Sequence, residues 1–298
     1  MRILITYFLL LQSFIGLSQS SFYNEIGKNG IQYKNFKWKV IYSNNFELYF
    51  NDGSENIANI ALDHIEENFS KLSSNVGHQP FKKTKIFIYN SLIDMKQSNI
   101  GINENDLFLN TNSNFNNKIQ FKVAFQNNIS AFKRDLNFEI SKVLISDLMK
   151  GNMSFSKRFG KASFTTIPKW FSEGAARYLA YGWDIEMDNI LRDYFLLTDQ
   201  KKIKNINNNQ SEYIGQSMWN YISIQYGKSN ISNILNLSKI IRNPERAISS
   251  ALGISFEDFI INWANYYSES INNRFKNLKN DSNKNLELNL KFKNIEEI

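Results

Sequence analysis

Asn137-Phe138-Glu139-Ile140-Ser141-Lys142-Val143 lies inside a long run whose apolar residues recur at helical spacing. A second stretch, Pro168-Lys169-Trp170-Phe171-Ser172-Glu173-Gly174-Ala175-Ala176-Arg177-Tyr178-Leu179, opens on proline, a favoured first-turn residue, and its helical pattern ends near Gly182. Residues four apart on a helix share a face, so positions 138 and 142 have the spacing of two side chains that grip one ion. Histidines there would offer neutral imidazoles to a metal, with a carboxylate beside it as base. The chain carries Phe138, which has no donor atom, and Lys142, which is protonated at neutral pH and repels a divalent cation. Glu139 and Glu173 remain. Two carboxylates around a position without its dication repel each other unless the charge is replaced. Lys142 supplies that charge, Phe138 fills volume, and Arg177, one turn beyond Glu173, is placed for an i,i+4 pair. Neither a metal nor a catalytic residue is expected at this site.

Other chemistries have little material. There is no cysteine, so no thiol nucleophile and no thiolate metal site. The only two histidines, His64 and His78, lack a partner histidine at metal spacing, and neither belongs to a nucleophile-elbow pattern. Both fit ordinary surface or turn positions. Glu139 and Glu173 have the residue types of a glycosidase acid/base pair, but pairing with Lys142 or Arg177 is the simpler use of them. No phosphate-cradling glycine loop occurs, since Gly27-Lys28-Asn29-Gly30 is only a flexible segment. No cofactor is expected.

The 298 residues are 42% hydrophobic, enough for one sizeable core or two small lobes. A net charge of +7 is spread among many lysines and does not form the one-sided stripe that a nucleic-acid groove needs. Met1-Arg2, the apolar run from Ile3 to Leu11, and the small polar exit at Ser18 and Ser20 follow the order of a secretory signal peptide. Residues 1–20 are therefore expected to be removed on export to the periplasm or cell envelope. The apolar run is too short for a stable membrane anchor, and no transmembrane helix is expected after its removal.

Along the chain, residues 37–42 and 46–50 read as two strands around a Ser43-Asn44-Asn45 turn. Ser54 is placed to cap a helix reaching about residue 74. Residues 85–89 are apolar on both faces, as in a central strand, and 118–125 alternate as an edge strand does. From Ile129 onward the pattern is helical, over 129–149, 168–182, 184–197, 211–226, 229–241, 244–252 and 255–277. A small mixed sheet followed by helices predicts an α+β fold, with a sheet lobe over about 37–127 and a helical lobe over 129–278. Leu286, Leu288, Leu290 and Phe292 alternate with polar residues after an Asn/Lys/Ser-rich linker, so 279–298 reads as linker and strand, the start of a further β domain.

This order of elements resembles the peptidase MA-like (gluzincin) domain, with Phe138 and Lys142 at its histidine positions, Glu139 at its general base and Glu173 at its third ligand. Trp183-Asp184-Ile185-Glu186-Met187-Asp188, Gly215-Gln216-Ser217-Met218-Trp219-Asn220-Tyr221 and the stretch from Tyr226 to Leu235 extend the likeness over about 37–270. The combination is similar to the N-terminal region of large exported Bacteroidota proteins of TolB-like or translocation type, where such a domain precedes a β-propeller. The resemblance implies a zincin-like sheet with an active-site-type helix, a degenerate zinc motif, and a retained substrate groove. It also implies a peptide or protein partner in the envelope, a β-propeller among the candidates. Phe121, Val123, Phe125, Glu139, Lys142, Trp170, Glu173 and Arg177 are the residues expected along that groove, where an extended peptide adds to the sheet edge. The expected function is a non-catalytic, exported pseudo-peptidase domain. The alternative is an active metal-dependent peptidase or hydrolase with atypical ligands.

Overall fold

The computed structural model describes residues 34–98, 120–150, 167–197 and 210–282. The expected signal segment, residues 118 and 119 of the expected edge strand, and the expected tail strand lie outside them. Four strands form one sheet in the order β1 (Trp38–Tyr42), β2 (Phe46–Asn51), β3 (Thr84–Tyr89), β4 (Gln120–Ala124). The β1–β2 pair is antiparallel, while β2–β3 and β3–β4 are parallel. Ser43 closes the hairpin: its backbone N–H donates to the Phe46 carbonyl at 3.0 Å and its Oγ accepts from the Phe46 N–H at 3.1 Å.

A parallel pair needs a crossover, and helix α1 (Glu55–Val76) provides it between β2 and β3. Its buried residues Ala58, Ala61, Ile65, Phe69, Leu72 and Val76 recur at three- and four-residue steps, which sets one apolar stripe against the sheet. Phe46, Leu48, Phe50, Ile86, Ile88, Phe121 and Val123 are the inward alternates that meet it. The helix stops at Gly77, whose φ of 72° is the left-handed conformation open to glycine. Ser54 stands at the expected N-cap position, but its side chain makes no capping bond and its Oγ is buried without a partner. The short helix α2 (Leu92–Gln97) is capped by Ser91 Oγ, which accepts from the Asp94 N–H at 3.1 Å. Six residues are too few to show a period, so it has no sequence signature.

The rest of the described chain is helical: α3 (Ile129–Lys150), α4 (Lys169–Tyr181), α5 (Ile185–Leu197), α6 (Ser211–Tyr226), α7 (Ser229–Ile241), α8 (Pro244–Leu252) and α9 (Phe256–Ser282). Asn128, Asp184, Asn243 and Ser255 cap α3, α5, α8 and α9 by accepting from backbone N–H groups three residues on, at 2.9–3.0 Å. The architecture is α+β. The two expected lobes share a single hydrophobic core that runs from Phe46 on β2 to Tyr267 on α9. Among the described residues, no helix is long and apolar enough to cross a membrane.

The tightest helix contact sets the position of α4. Gly174 on α4 and Gly215 on α6 face each other so closely that a Cβ on Gly174 would sit 2.6 Å from the Gly215 carbonyl carbon. A Cβ on Gly215 would land on the Trp170 carbonyl oxygen. Around this seam, Trp219 Nε1 donates to the Phe171 carbonyl at 2.9 Å and Trp263 Nε1 donates to Ser217 Oγ at 3.0 Å. Tyr267 donates to the Ser217 carbonyl at 3.2 Å and accepts from Asn220 Nδ2 at 2.8 Å. These buried polar groups satisfy one another, so the aromatic rings around them are fixed in rotation as well as position.

Candidate functional site

Helix α3 carries Phe138, Glu139 and Lys142 on the side that meets α4. Asp135 Oδ1 accepts from the Tyr181 hydroxyl at 3.1 Å, and the Phe138 and Tyr181 rings lie 5.6 Å apart. Arg177, one turn before Tyr181, lies 5.9 Å from the Phe138 ring. Later residues of α3 therefore meet earlier residues of α4, so the helices run antiparallel and the Lys142 turn lies alongside the Glu173 turn. The two sequence segments that carry Glu139 and Glu173 are brought together.

Lys142 Nζ donates to both oxygens of Glu139, at 3.0 and 3.2 Å, and lies 5.1 Å from the Phe138 ring centroid. The expected ion pair of Lys142 forms within one helix, with Glu139 and not with Glu173. Lys142 and Glu139 are 38% and 24% exposed, so the pair sits in high dielectric and stabilises the fold only slightly. A zinc ion does not fit this donor set, since position 138 offers a hydrocarbon ring and position 142 a cation already bound to the adjacent carboxylate. Among the described residues, no three His, Cys, Asp or Glu side chains are grouped to hold a metal ion.

Arg177 departs from the expected i,i+4 pair with Glu173. Its Nε donates to Gln216 Oε1 at 3.1 Å, and its guanidinium carbon lies 4.0 Å from the Tyr213 ring centroid and 5.2 Å from that of Tyr181. Gln216 is 1% exposed and its Nε2 donates to the Gly182 carbonyl at 2.9 Å. A carbonyl only accepts, so this bond fixes which end of the amide faces Arg177. Burial, and then the Asp135 carboxylate, push the Tyr181 hydroxyl well above the usual phenol range, which keeps it a proton donor.

Three of the expected groove residues belong to the core. Phe121 and Val123 are 8% and 6% exposed on the inward face of β4, and Trp170 is 2% exposed, stacked on Phe256. Alternation along a strand sends every second side chain inward, and the larger apolar set of β4 took that face. Phe125, just beyond β4, packs edge-on against Phe132. The accessible surface is thus Glu139, Lys142, Glu173 and Arg177 with the rings of Phe138, Tyr181 and Tyr213. Tyr181, Tyr213 and Gln216 were not legible as site residues. The one hint was a buried-type helix carrying Gly215-Gln216-Ser217 in the middle of its apolar run.

Both histidines tie α1 to α3. His64 Nε2 donates to the Lys133 carbonyl and to Asn137 Oδ1, each at 3.1 Å. The ring's other nitrogen faces Asn68 Nδ2 at 3.3 Å, so His64 is the neutral Nε2–H tautomer, and burial lowers its pKa. His78 Nε2 lies 2.8 Å from Asp147 Oδ2. Both are half-buried clamps: His78 keeps the expected turn position after Gly77, while His64 is not the ordinary surface group expected. The chain matches no family model, no curated protein and no solved structure.

Proposed function

We propose that this chain is an exported, non-catalytic domain of zincin-like ancestry that holds a peptide or protein segment in the groove between α3 and α4. The observation that carries the reading is Lys142 Nζ bound 3.0 Å from Glu139 Oε1 beside the Phe138 ring. A peptidase needs an open metal position and a free carboxylate base at this place. Here the carboxylate is neutralised and the ring and ammonium group take up the space. What stays accessible is a shelf of rings and charges with the properties of a binding surface.

The test restores the presumed ligands. Phe138→His with Lys142→His is expected to bind one zinc per chain in equilibrium dialysis, with Glu173 as third protein ligand, while the unaltered chain retains none against a weak chelator. Activity need not return, because nothing has kept the groups that would orient the new imidazoles. Stoichiometric zinc in the unaltered chain would refute the non-catalytic reading. A double variant that folds normally and binds no zinc would refute the zincin-like ancestry.

A further inference from the structure

Resting on the reading of the α3–α4 groove as a peptide-binding surface, we propose that Arg177 receives a carboxylate carried by the bound peptide. Its guanidinium is held on one edge by Gln216 and on one face by Tyr213, and the buried Gln216–Gly182 bond fixes that anchor in turn. Among the described residues, the terminal nitrogens of Arg177 have no hydrogen-bond partner, and no carboxylate lies within ion-pair distance of it. On α3, Glu139 is already taken by Lys142 and Asp135 accepts from Tyr181. The result is a pre-oriented planar cation, without a counter-ion among the described residues, which presents the fork of donors that matches a carboxylate in two parallel bonds. Because the side chain is immobilised before binding, little rotamer entropy remains to be lost when the ligand arrives.

The surroundings narrow the anion. Phe138 and Tyr181, 5.9 and 5.2 Å from the guanidinium carbon, give an apolar wall for the side chain next to the carboxylate. Glu139, Asp135 and Glu173 place negative charge on the same helices, which disfavours a dianion such as phosphate more than a singly charged carboxylate. Both a chain-terminal carboxylate and an Asp or Glu side chain have this chemistry.

The experiment immobilises the full chain and passes over it three pools of N-acetylated random hexapeptides. The first lacks Asp and Glu and ends in free acids. The second is the same pool amidated. The third is amidated and includes Asp and Glu. Retention of the acid pool at least roughly tenfold above its amide is expected, a factor typical of one charge-assisted contact. Selective retention of the third pool instead assigns the carboxylate to a side chain and supports the proposal equally. Arg177→Lys, which keeps the charge and loses the fork, is expected to abolish the difference. In the unaltered chain, the Arg177 Nε–Hε resonance is expected to shift with retained acids, a readout independent of how the variant folds. Equal retention of acid and amide pools overturns the proposal and leaves the groove standing. Retention of no pool removes the groove reading and the proposal with it. Displacement of the acids by inorganic phosphate at lower concentration than by acetate shows a dianion site and also overturns it.

Discussion

Helix α4 has two faces built to different tolerances. Trp170, Phe171, Gly174 and Ala175 are buried, and Gly174 touches the backbone of α6 through a contact with no room for a methyl group. Glu173 on the other side is half-buried, while Arg177 and Tyr181, at the border in line with Trp170 and Gly174, are half-buried and reach Gln216 and Asp135 through side-chain tips. The first face decides where the helix lies. The second is held in place by it, and so its charged groups need not stabilise the fold. Adjacent residues should separate the two roles. Gly174→Ala gains about 1 kcal/mol of helix propensity, yet the overlap with Gly215 should leave a net loss of about 2 kcal/mol. Gly215→Ala meets the Trp170 carbonyl and should cost about 3 kcal/mol or more, because backbone cannot swing aside as a side chain can. Glu173→Gln should stay within about 0.5 kcal/mol of the unaltered chain. Urea unfolding of the three variants measures this. Equal losses at 173 and 174 would remove the distinction between the faces.

The buried polar set behind the seam gives the next effect. Ser217→Ala removes the acceptor of the Trp263 indole N–H and leaves that donor buried at the centre of the helical region. A loss of about 1–3 kcal/mol is expected. Trp263→Phe in the Ser217→Ala background should then cost less than the sum of the single changes, since the stranded donor is gone. Strict additivity would show that the hydrogen bond carries no weight.

These two regions also differ in how much of them the sequence displays. The central place of β3, the edge place of β4, the α1 stripe and most helix bounds follow from local periodicity and caps, such as Asn243 before Pro244 at the start of α8. The pairing of α3 with α4 was visible because Glu139 and Glu173 stand in two recognisable segments. The inward face of β4 was visible too, since Phe121 and Val123 alternate with Gln120 and Lys122, but that their burial takes them out of the groove was not. Nor was the partner of Arg177. Spacing along α4 favours Glu173, but the choice falls to Gln216 and Tyr213, brought up by a helix thirty-odd positions later whose approach depends on two glycines.

Acid should act on the other side of α3. The folded pKa of His64 lies below its ordinary value because burial outweighs the opposing bond to Asn137, with the Lys133 charge adding a smaller push in the same direction as burial. The unfolded chain takes up this proton near about pH 6.5 while the fold resists it. Stability from this group is therefore present above about pH 6.5 and is lost as pH falls through the depressed folded value. His64→Gln has no proton to gain. The stability gap between the unaltered chain and the variant should narrow between pH 7.5 and pH 5 in parallel denaturant titrations. A gap that stays constant would show that His64 has the same proton affinity folded and unfolded.

The smallest effect is expected at the residue with the most conspicuous position in the sequence. Lys142 lies at the turn where the helices carrying Glu139 and Glu173 meet, so its charge would be important to stability if those carboxylates were buried. They are not: Glu139 keeps 24% of its side-chain surface in water and can be solvated when the lysine is removed. Lys142→Ala should therefore cost less than about 1 kcal/mol, and the difference should shrink further in high salt. Lys142→Met, which keeps the contact with Phe138 and drops the charge, should fall between the two. A loss above about 3 kcal/mol would mean that Glu139 is stranded without solvent, as when one partner of a buried ion pair is removed. In that case the ammonium group is a structural counter-charge, and the accessible face of α4 would share the tight tolerance of the buried one.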